Sequence, residues 1–336
     1  MSDPLVVIDA DVLGRRRTGD ESYIAGLLQA LPAVGEGLRF AAITRRPDLV
    51  PAGIEPIELS SRLQELRMAV RVPLLLRRLR PALAHFVHSL PLALPCPSVL
   101  TVQDLSFERD ASLMGRRETA IFRLVVPRSA RHARRVLAIS QRTKDDLVER
   151  YSLPPEKIVV TPLAADVAFR PGGTHGDYLL LSGAIEERKN PLLAADAADA
   201  VGRRLVVVGP ERDADLAAEL RRRGADLRGY VPQAELVQLY QEAAALLFPT
   251  RAEGFGLPVV EAMACGTPVI ATNDPAVHEV GGSAIAYAEP ADFGAVLEGV
   301  LADPEPWRTA GLERAQLFSW ERTARLTVQV YREVLA

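Results

Sequence analysis

Cysteine is scarce in this 336-residue chain, which holds only Cys96 and Cys265, far apart. That spacing offers no disulfide framework and predicts two free thiols in a reducing cytoplasm. The five histidines are scattered without metal-ligand spacing, so no histidine-based metal centre is expected. No apolar run approaches the roughly 20 residues that span a bilayer. The opening Met1-Ser2-Asp3-Pro4 carries no basic segment ahead of the apolar Leu5-Val6-Val7-Ile8, which predicts a first strand instead of a signal peptide. No Gly-x-Gly-x-x-Gly follows that strand, which argues against a nicotinamide-dependent dehydrogenase. Tandem repeats and low-complexity tracts are also missing.

What is present is length and apolar content. Hydrophobic residues make up 48% of the chain, enough for two domains with their own cores. Net charge is −3 but uneven. Residues 1–170 hold 25 Lys and Arg against 19 Asp and Glu, a balance of +6, and the remainder holds 15 against 24, a balance of −9. A basic N-terminal half suits an anionic partner such as a membrane surface, a lipid phosphate or nucleic acid. Ordinary solvated arginines are the competing reading.

Leu5 to Ile8 reads as a short buried strand. The basic loop Asp9 to Asp20 follows, then a helix from Ser22 to Leu31 with Tyr23, Ile24, Leu27, Leu28 and Leu31 at helical spacing. Loops between a parallel strand and its helix are where α/β proteins bind ligands. Gly14, Gly19 and Arg15 to Arg17 are therefore candidate phosphate or acceptor contacts, with a mobile surface loop as the alternative. Asp9 and Asp11 have the spacing of a divalent-metal pair, but no third acidic ligand is nearby, and a structural role at the strand end is the better expectation. Arg62 to Arg80 is a basic helical segment interrupted at Pro73. It suits either a helix covering the first domain or an amphipathic helix at a membrane surface.

Further strands are predicted at Phe40–Ile43, Ile54–Ile57, Leu83–His88, Ser98–Val102, Val136–Ile139 and Lys157–Thr161, with helices at Arg116–Ala133 and Arg142–Tyr151, the latter capped by Ser140. Strands alternating with helices predict a parallel, doubly wound sheet. Around Phe169 to Gly176 the chain turns to proline and glycine, which marks a linker. The pattern then restarts with strands at Tyr178–Leu181, Leu205–Val208, Leu227–Tyr230 and Ala245–Phe248. After the last comes a glycine-rich turn with one carboxylate, Glu253. Pro258 suits the first turn of a helix, Glu261 follows one turn in, and Gly266 to Pro268 closes it. This places a helix N-terminus, suited to a phosphate, beside two carboxylates, suited to sugar hydroxyls.

In this order the motifs resemble glycosyltransferase family 4. The sharpest match is Glu253-Gly254-Phe255-Gly256-Leu257-Pro258-Val259-Val260-Glu261, which is similar to that family's pair of glutamates. Gly183 to Asn190, with Arg188 and Lys189, resembles its phosphate-binding loop, and Gly229-Tyr230-Val231-Pro232 its base-contacting turn. Thr18 to Tyr23 resembles its first glycine loop. Val136 to Ser140, Lys157 to Pro162 and Phe318 to Trp320 also fit.

The resemblance implies an α/β protein of the GT-B fold, two Rossmann-like doubly wound domains facing across a cleft. The expected acceptor-side domain is 1–168 and the nucleotide-sugar donor domain 169–319. The helix of 320–336 would cross back to the first domain through Leu326, Val330, Val334 and Trp320. The implied activity is retaining transfer of a sugar, as in mannosyltransferases, from a nucleotide-sugar to a hydroxyl of a glycan, glycolipid or small molecule. No cofactor or obligatory metal is implied, and nucleic acid is not an expected partner. A cytoplasmic protein, with peripheral contact at the inner membrane face, is expected. Arg188 and Lys189 would stabilise the leaving diphosphate, Glu253 would hold a sugar hydroxyl and Glu261 the ribose. Gly19, Gly183, Val231, Gly254, Phe255, Gly256 and Leu257 would line the donor.

Two departures stand out. Ala184 replaces an arginine common in the family, a charge that Arg188 would supply. Gln103 stands where many members have the histidine that helps hold the donor sugar, with His85 or His88 as candidate substitutes. Two rival readings remain: a nucleotide-sugar epimerase of the same fold, and a non-catalytic nucleotide-sugar-binding protein.

Overall fold

Short uninterrupted apolar runs such as Leu5-Val6-Val7-Ile8 and Leu205-Val206-Val207-Val208 suit strands covered on both faces, which is the situation in a parallel sheet. The computed structural model describes residues 3–15, 18–61, 63–109, 116–174 and 176–336, and in it every strand pairing is parallel. The chain divides into two compact units, Met1–Leu163 with Ser319–Ala336, and Ala164–Phe318.

The first unit runs β1 (Leu5–Asp9), α1 (Thr18–Val34), β2 (Arg39–Thr44), β3 (Glu55–Glu58), α2 (Gln64–Leu66), α3 (Val72–Leu79), β4 (Leu83–Val87), β5 (Ser98–Val102), α4 (Ser106–Arg109), α5 (Arg116–His132), β6 (Arg135–Ala138), α6 (Gln141–Tyr151) and β7 (Ile158–Val160). Its sheet order is β3-β2-β1-β4-β5-β6-β7. The second unit runs β8 (Leu179–Ser182), α7 (Pro191–Ala200), β9 (Leu205–Val208), α8 (Ala214–Arg222), β10 (Asp226–Gly229), α9 (Gln233–Glu242), β11 (Ala245–Phe248), α10 (Leu257–Cys265), β12 (Val269–Ala271), α11 (Pro275–Gly281), β13 (Ala286–Tyr287), α12 (Phe293–Ala302) and α13 (Glu305–Ala315). Its order is β10-β9-β8-β11-β12-β13. Each sheet therefore reverses its winding once, between β1 and β4 in the first unit and between β8 and β11 in the second. Ligands of open α/β sheets bind at such switch points, outside the carboxyl ends of the strands.

The segment before β4 differs from the expected break at Pro73. The helix continues through that residue, and the irregularity is a π-helical turn at Arg67–Arg71 that joins α2 to α3. A wider turn directly N-terminal to proline relieves the missing hydrogen bond and the clash that proline causes in a regular helix. Arg67 in this turn is fully buried and pairs with both oxygens of Asp9, one at 3.0 Å. Asp11 also forms ion pairs with Arg45, at 3.0 Å, and with Arg15. Both aspartates are thus engaged by guanidinium groups, and the geometry supports their structural role at the strand end. Arg16, Arg17 and Arg62, which the sequence reading also singled out, lie outside the described residues.

The last helix, α14 (Trp320–Leu335), belongs to the first unit and packs on α1. Its buried line differs from the expected apolar one. Val330 is buried as expected, but Trp320, Leu326 and Val334 are half-buried, while Thr323, Thr327 and Tyr331 are buried. These polar residues are tolerated because each is hydrogen-bonded. Thr323 donates to Pro162 O, Thr327 donates to Thr323 O at 2.8 Å, and the Tyr331 hydroxyl meets His85 Nδ1 at 2.6 Å. His85 Nε2 in turn meets Thr101 Oγ1 at 2.8 Å, and Thr101 meets the Tyr23 hydroxyl at 2.7 Å. One buried polar chain therefore joins α1, β4, β5 and α14. Burial pushes His85 down to about 3, so the imidazole stays neutral at ordinary pH.

Trp320 lies so close to α1 that a Cβ at Gly26 would fall 2.1 Å from its ring. Glycine inside a helix normally costs roughly 0.5–1 kcal/mol relative to alanine, so Gly26→Ala would stabilise an isolated helix. Here the sign should reverse. Gly26→Ala is expected to lower the stability of the first unit by about 1–3 kcal/mol through overpacking and to shift Trp320 fluorescence. Urea titration followed by that fluorescence checks both, and an unchanged or raised midpoint would contradict the packing described.

Candidate active site

The second unit builds its site from the loops that leave β8 and β11, the two strands flanking its switch point. The β8 loop begins with Gly183, which lies at φ +144°, a region that disfavours side chains. It is stitched to its neighbour where Gly183 N donates to Val208 O at 2.8 Å. A Cβ at Gly209, the next residue, would fall 2.0 Å from Gly183 O, so two strand ends approach here as only glycine allows. A 3₁₀ turn at Glu187–Lys189 then leads to Asn190 and α7. The β11 loop carries Thr250 to Gly256. Arg251 N donates to Arg188 O at 2.8 Å, which fastens the two loops to each other.

Their side chains converge on Glu253. Its Oε1 lies 2.5 Å from Lys189 Nζ, 2.8 Å from Thr250 Oγ1 and 3.3 Å from Arg188 Nη1. Arg188 is braced from behind, donating to Glu186 at 2.8 Å and to Ala252 O at 2.6 Å. Glu186 also pairs with Arg212 at 3.0 Å. Burial works against the Glu253 charge, but Lys189 and Arg188 outweigh it and hold the carboxyl below its usual range. Burial pulls Lys189 down, Glu253 opposes that pull, and Arg188 adds to it. Lys189 Nζ also sits 5.1 Å from the Phe248 ring centroid, in cation–π range. An ammonium has three donors. One goes to Glu253, and no second hydrogen bond from it is recorded among the described residues.

The turn then enters α10 through Gly256, at φ +100°, as the capping residue, with Pro258 in the first turn. Phe255 is buried and meets Phe318 edge-on, ring centroids 5.8 Å apart. Glu261 follows one turn into α10, buried, and accepts from the Tyr240 hydroxyl at 2.8 Å. Burial raises Glu261 to about 7, with a small push from Asp166, and the Tyr240 hydrogen bond only partly offsets it. Gly229, at φ +63°, and the buried Val231 occupy the turn after β10.

Arg188, Lys189, Glu253, Gly183, Gly254, Phe255, Gly256 and Leu257 thus come from two fastened loops of one unit. Gly19 and Gln103 belong to the first unit. There Gln103 is buried, and its Oε1 lies 3.5 Å from where a Cβ on Gly19 would stand. Its carbonyl accepts from Thr143 Oγ1 at 3.0 Å, while no hydrogen-bond partner is recorded for its Nε2 among the described residues. Of the two candidate substitutes, His85 is corrected by the structure, because both its ring nitrogens are taken inside the core. His88 sits at the end of β4, across the switch point from β1, with Nε2 3.3 Å from Asp20 Oδ1.

Glu186, Gly209, Tyr240, Thr250 and Asp274 belong to the site without having been expected in it. Asp274 caps α11, accepting from Ala276 N at 2.9 Å and Val277 N at 3.2 Å, and its other oxygen accepts from Glu253 N at 3.3 Å. Its signal was readable, since Asp before Pro275 is an N-cap followed by proline at N1. Tyr240 had no signal beyond an apolar position in α9.

Known proteins can be set beside this geometry. A sequence profile described as Glycosyltransferase Family 4 matches residues 18–169, and one described as Glycosyl transferases group 1 matches residues 176–303. The chain belongs to glycosyltransferase family 4. It is 30% identical over 231 residues to the O-antigen chain mannosyltransferase B of Escherichia coli, covering 60% of this chain and 61% of that protein. The chain spans about three fifths of the length of the curated relatives it matches. Among solved structures, sucrose-phosphate synthase from Thermosynechococcus elongatus superposes with a TM-score of 0.78 at 17% identity, covering 98% of each chain. HepE of Anabaena, solved in complex with UDP and glucose, does so with a TM-score of 0.73 at 13% identity, covering 98% of this chain and 100% of that one. The fold is GT-B.

The raised Glu261 makes a test of burial in this family 4 chain. A carboxyl whose folded pKa lies above its unfolded value stabilises fully below the unfolded value and loses that contribution as pH rises through the folded one. The window runs from the ordinary 4.5 to about 7, a difference worth roughly 3 kcal/mol at most. Glu261→Gln should therefore be more stable than the wild type above about pH 7 and nearly equal to it below about pH 4.5. Thermal unfolding across that range checks the sign, and equal stability at alkaline pH would show that the charge is not buried as described.

Proposed function

We propose that the protein transfers a sugar from a nucleotide-sugar to an acceptor hydroxyl with retention of configuration, without needing a metal ion. The observation that carries this reading is the contact of Lys189 and Arg188 with Glu253 at the switch point, in the loop that leads into α10 and Glu261. In the reaction the anomeric carbon gains a bond to the acceptor oxygen, whose proton passes to the departing diphosphate oxygen. It loses the bond to the diphosphate oxygen, which departs with the electron pair. Charge on that diphosphate is what the site must stabilise. Lys189 supplies a point charge with donors to spare, and Arg188 fixes the loop that carries it. Both are already held by carboxylates, so they need no rearrangement as charge develops. The N-terminus of α10 adds its N–H groups where Gly254 and Gly256 let the backbone approach closely. Glu253 holds a sugar hydroxyl and Glu261 the ribose hydroxyls, as acceptors. Gln103, in place of a histidine, would contact the donor sugar as a hydrogen-bonding group without a titratable proton.

Mannose is supported as the sugar by the likeness to a mannosyltransferase, and a glycan or lipid-linked glycan is the acceptor class that fits it. Such an acceptor would bring the protein to a membrane face; no helix among the described residues is long and apolar enough to cross one.

A thermal-shift panel of nucleoside diphosphates and nucleotide-sugars identifies the donor. A ligand at 100 times its Kd stabilises by about 2.7 kcal/mol. With that donor, Lys189→Ala and Glu261→Ala are expected to abolish transfer while circular dichroism stays native. Transfer surviving in both would defeat the assignment. A product anomer inverted by NMR would defeat retention, and activity lost on chelation and restored by a divalent ion would defeat metal independence. Epimerised nucleotide-sugar formed without acceptor would transfer the site to an isomerase.

A further inference from the structure

Among the described residues, eleven large apolar side chains are exposed, and seven of them lie on one face of the first unit. Four are Leu63, Leu66, Val70 and Leu74, in or next to the helix that runs from α2 through the π turn to α3. Their gaps of three, four and four residues place them along one side of that helix. The opposite side carries the buried Val72 and Leu76 and the buried Arg67, whose ion pair with Asp9 keeps the helix from rolling. Leu92, 70% exposed, comes from the loop between β4 and β5. Ile121 and Leu124, the latter 73% exposed, come from α5. These three elements belong together. Val72 and Leu76 of α3, Leu90 of the loop, and Val126 and Ala130 of α5 share one core cluster, and Arg128 of α5 donates to Leu92 O at 3.2 Å. Their outer sides therefore face away from the same side of the sheet.

The other side of that sheet is covered by α1 and α14, as the contacts of Tyr23 and Tyr331 with Thr101 and His85 show. Neither helix exposes a large apolar residue. The outer surface of α14 instead carries charged residues, with Arg325 paired to Glu321 and Arg135 to Glu333. Most of the apolar exposure of the first unit is thus on one face, with Leu49 outside this group.

Most of the charges on the helix that runs from α2 to α3 are basic. Arg71, Arg77, Arg78 and Arg80 are exposed along the same helix, where the acidic residue is Glu65. Arg131 and Arg134 are exposed at the end of α5. We propose that this face, apolar side chains rimmed by arginines, docks on an anionic lipid bilayer, with Leu66, Val70 and Leu74 entering the headgroup–acyl boundary and Arg71, Arg77 and Arg78 meeting lipid phosphates. A second copy of the chain fits worse, because a two-fold contact would set the arginines of one copy against those of the other. A bilayer offers apolar depth and negative charge together, which is what this surface lacks. The inference is independent of the sugar-transfer reading.

The test is co-sedimentation of the full chain with vesicles of phosphatidylcholine mixed with phosphatidylglycerol, against vesicles of phosphatidylcholine alone, at low and high salt. Binding is expected only to the mixed vesicles, weakening with salt. Arg77→Gln and Arg78→Gln should each weaken it by about fivefold. The triple change Leu66→Ser, Val70→Ser, Leu74→Ser should weaken it by about tenfold or more. These positions are exposed, so thermal unfolding should be unaltered, and Leu317→Ser, an exposed leucine of the second unit, should bind as the wild type does. The proposal is overturned by absent binding to mixed vesicles, or by unchanged binding in the triple variant. Concentration-dependent dimerisation without lipid, lost in the triple variant, would assign the face to a second copy instead.

Discussion

Lys189 and Glu253 meet 2.5 Å apart with side chains 11% and 9% exposed, and the loops at the carboxyl edge of the second sheet are arranged around that contact. Burying either charge alone costs several kcal/mol, and removing one partner of such a pair typically costs about 3–5 kcal/mol. Neither loop can therefore leave without exposing the other to that penalty. The residues lie 64 apart in the chain, one just after β8 and the other just after β11, the strands that flank the switch point. The pair converts a topological fact, the reversal of strand order, into a fixed arrangement of charge. Arg188 extends the same logic. Its guanidinium spends donors on Glu186, on Ala252 O and on Glu253, so it acts more as a brace than as a free cation. The labour is divided between neighbours: Arg188 uses its planar fork to fix the loop, and Lys189 brings the charge with donors left over.

The first unit handles buried charge differently. Arg67 is fully buried, yet its partners, Asp9 and Asp11, stand at the end of β1 and also receive Arg15 and Arg45. This cluster surrounds its carboxylates with guanidinium groups and ties the helix before β4 to the loop after β1. It orients a surface helix, which is why the exposed leucines of that helix have a defined direction. The polar chain from Tyr23 through Thr101 and His85 to Tyr331 does similar work on the other face. Fully partnered buried networks specify one packing out of the many that an apolar surface would accept.

These devices mark where the sequence could and could not be read. Strands such as Leu205–Val208 and Ala245–Phe248 were legible because a parallel strand buried on both faces must be apolar throughout. The turn into α10 was legible because Gly256, Pro258 and Gly266 each answer a local backbone demand. The burial of the arginine in the π turn was not legible, since its partner is Asp9, 58 residues earlier. From sequence Arg67 is one more arginine in a basic run. The buried line of α14 was misread for the same reason. Thr323, Thr327 and Tyr331 look like a polar stripe until Pro162 and His85 are seen to receive them. Asp274 was the intermediate case, readable as a cap but not as the acceptor for Glu253 N. Local chemistry was visible in the chain; partnerships across tens of residues were not.

The two glutamates of the second unit show why identity alone does not assign a role. Glu253 and Glu261 are both buried and stand eight positions apart, yet their surroundings drive them in opposite directions. Two cations and a threonine hydroxyl keep Glu253 ionised against its burial. Glu261 accepts from the Tyr240 hydroxyl, which only partly offsets its burial, so burial dominates and raises it to about 7. A pair of carboxyls pushed apart in this way can serve two functions at one pH. Glu253 is already paired with two cations of the protein and holds its loop through them. Glu261 lacks such compensation, and hydroxyl donors arriving at it would favour its ionised form. The uncompensated acid is thus the one a diol would find most receptive, and the compensated one is the one the architecture cannot do without.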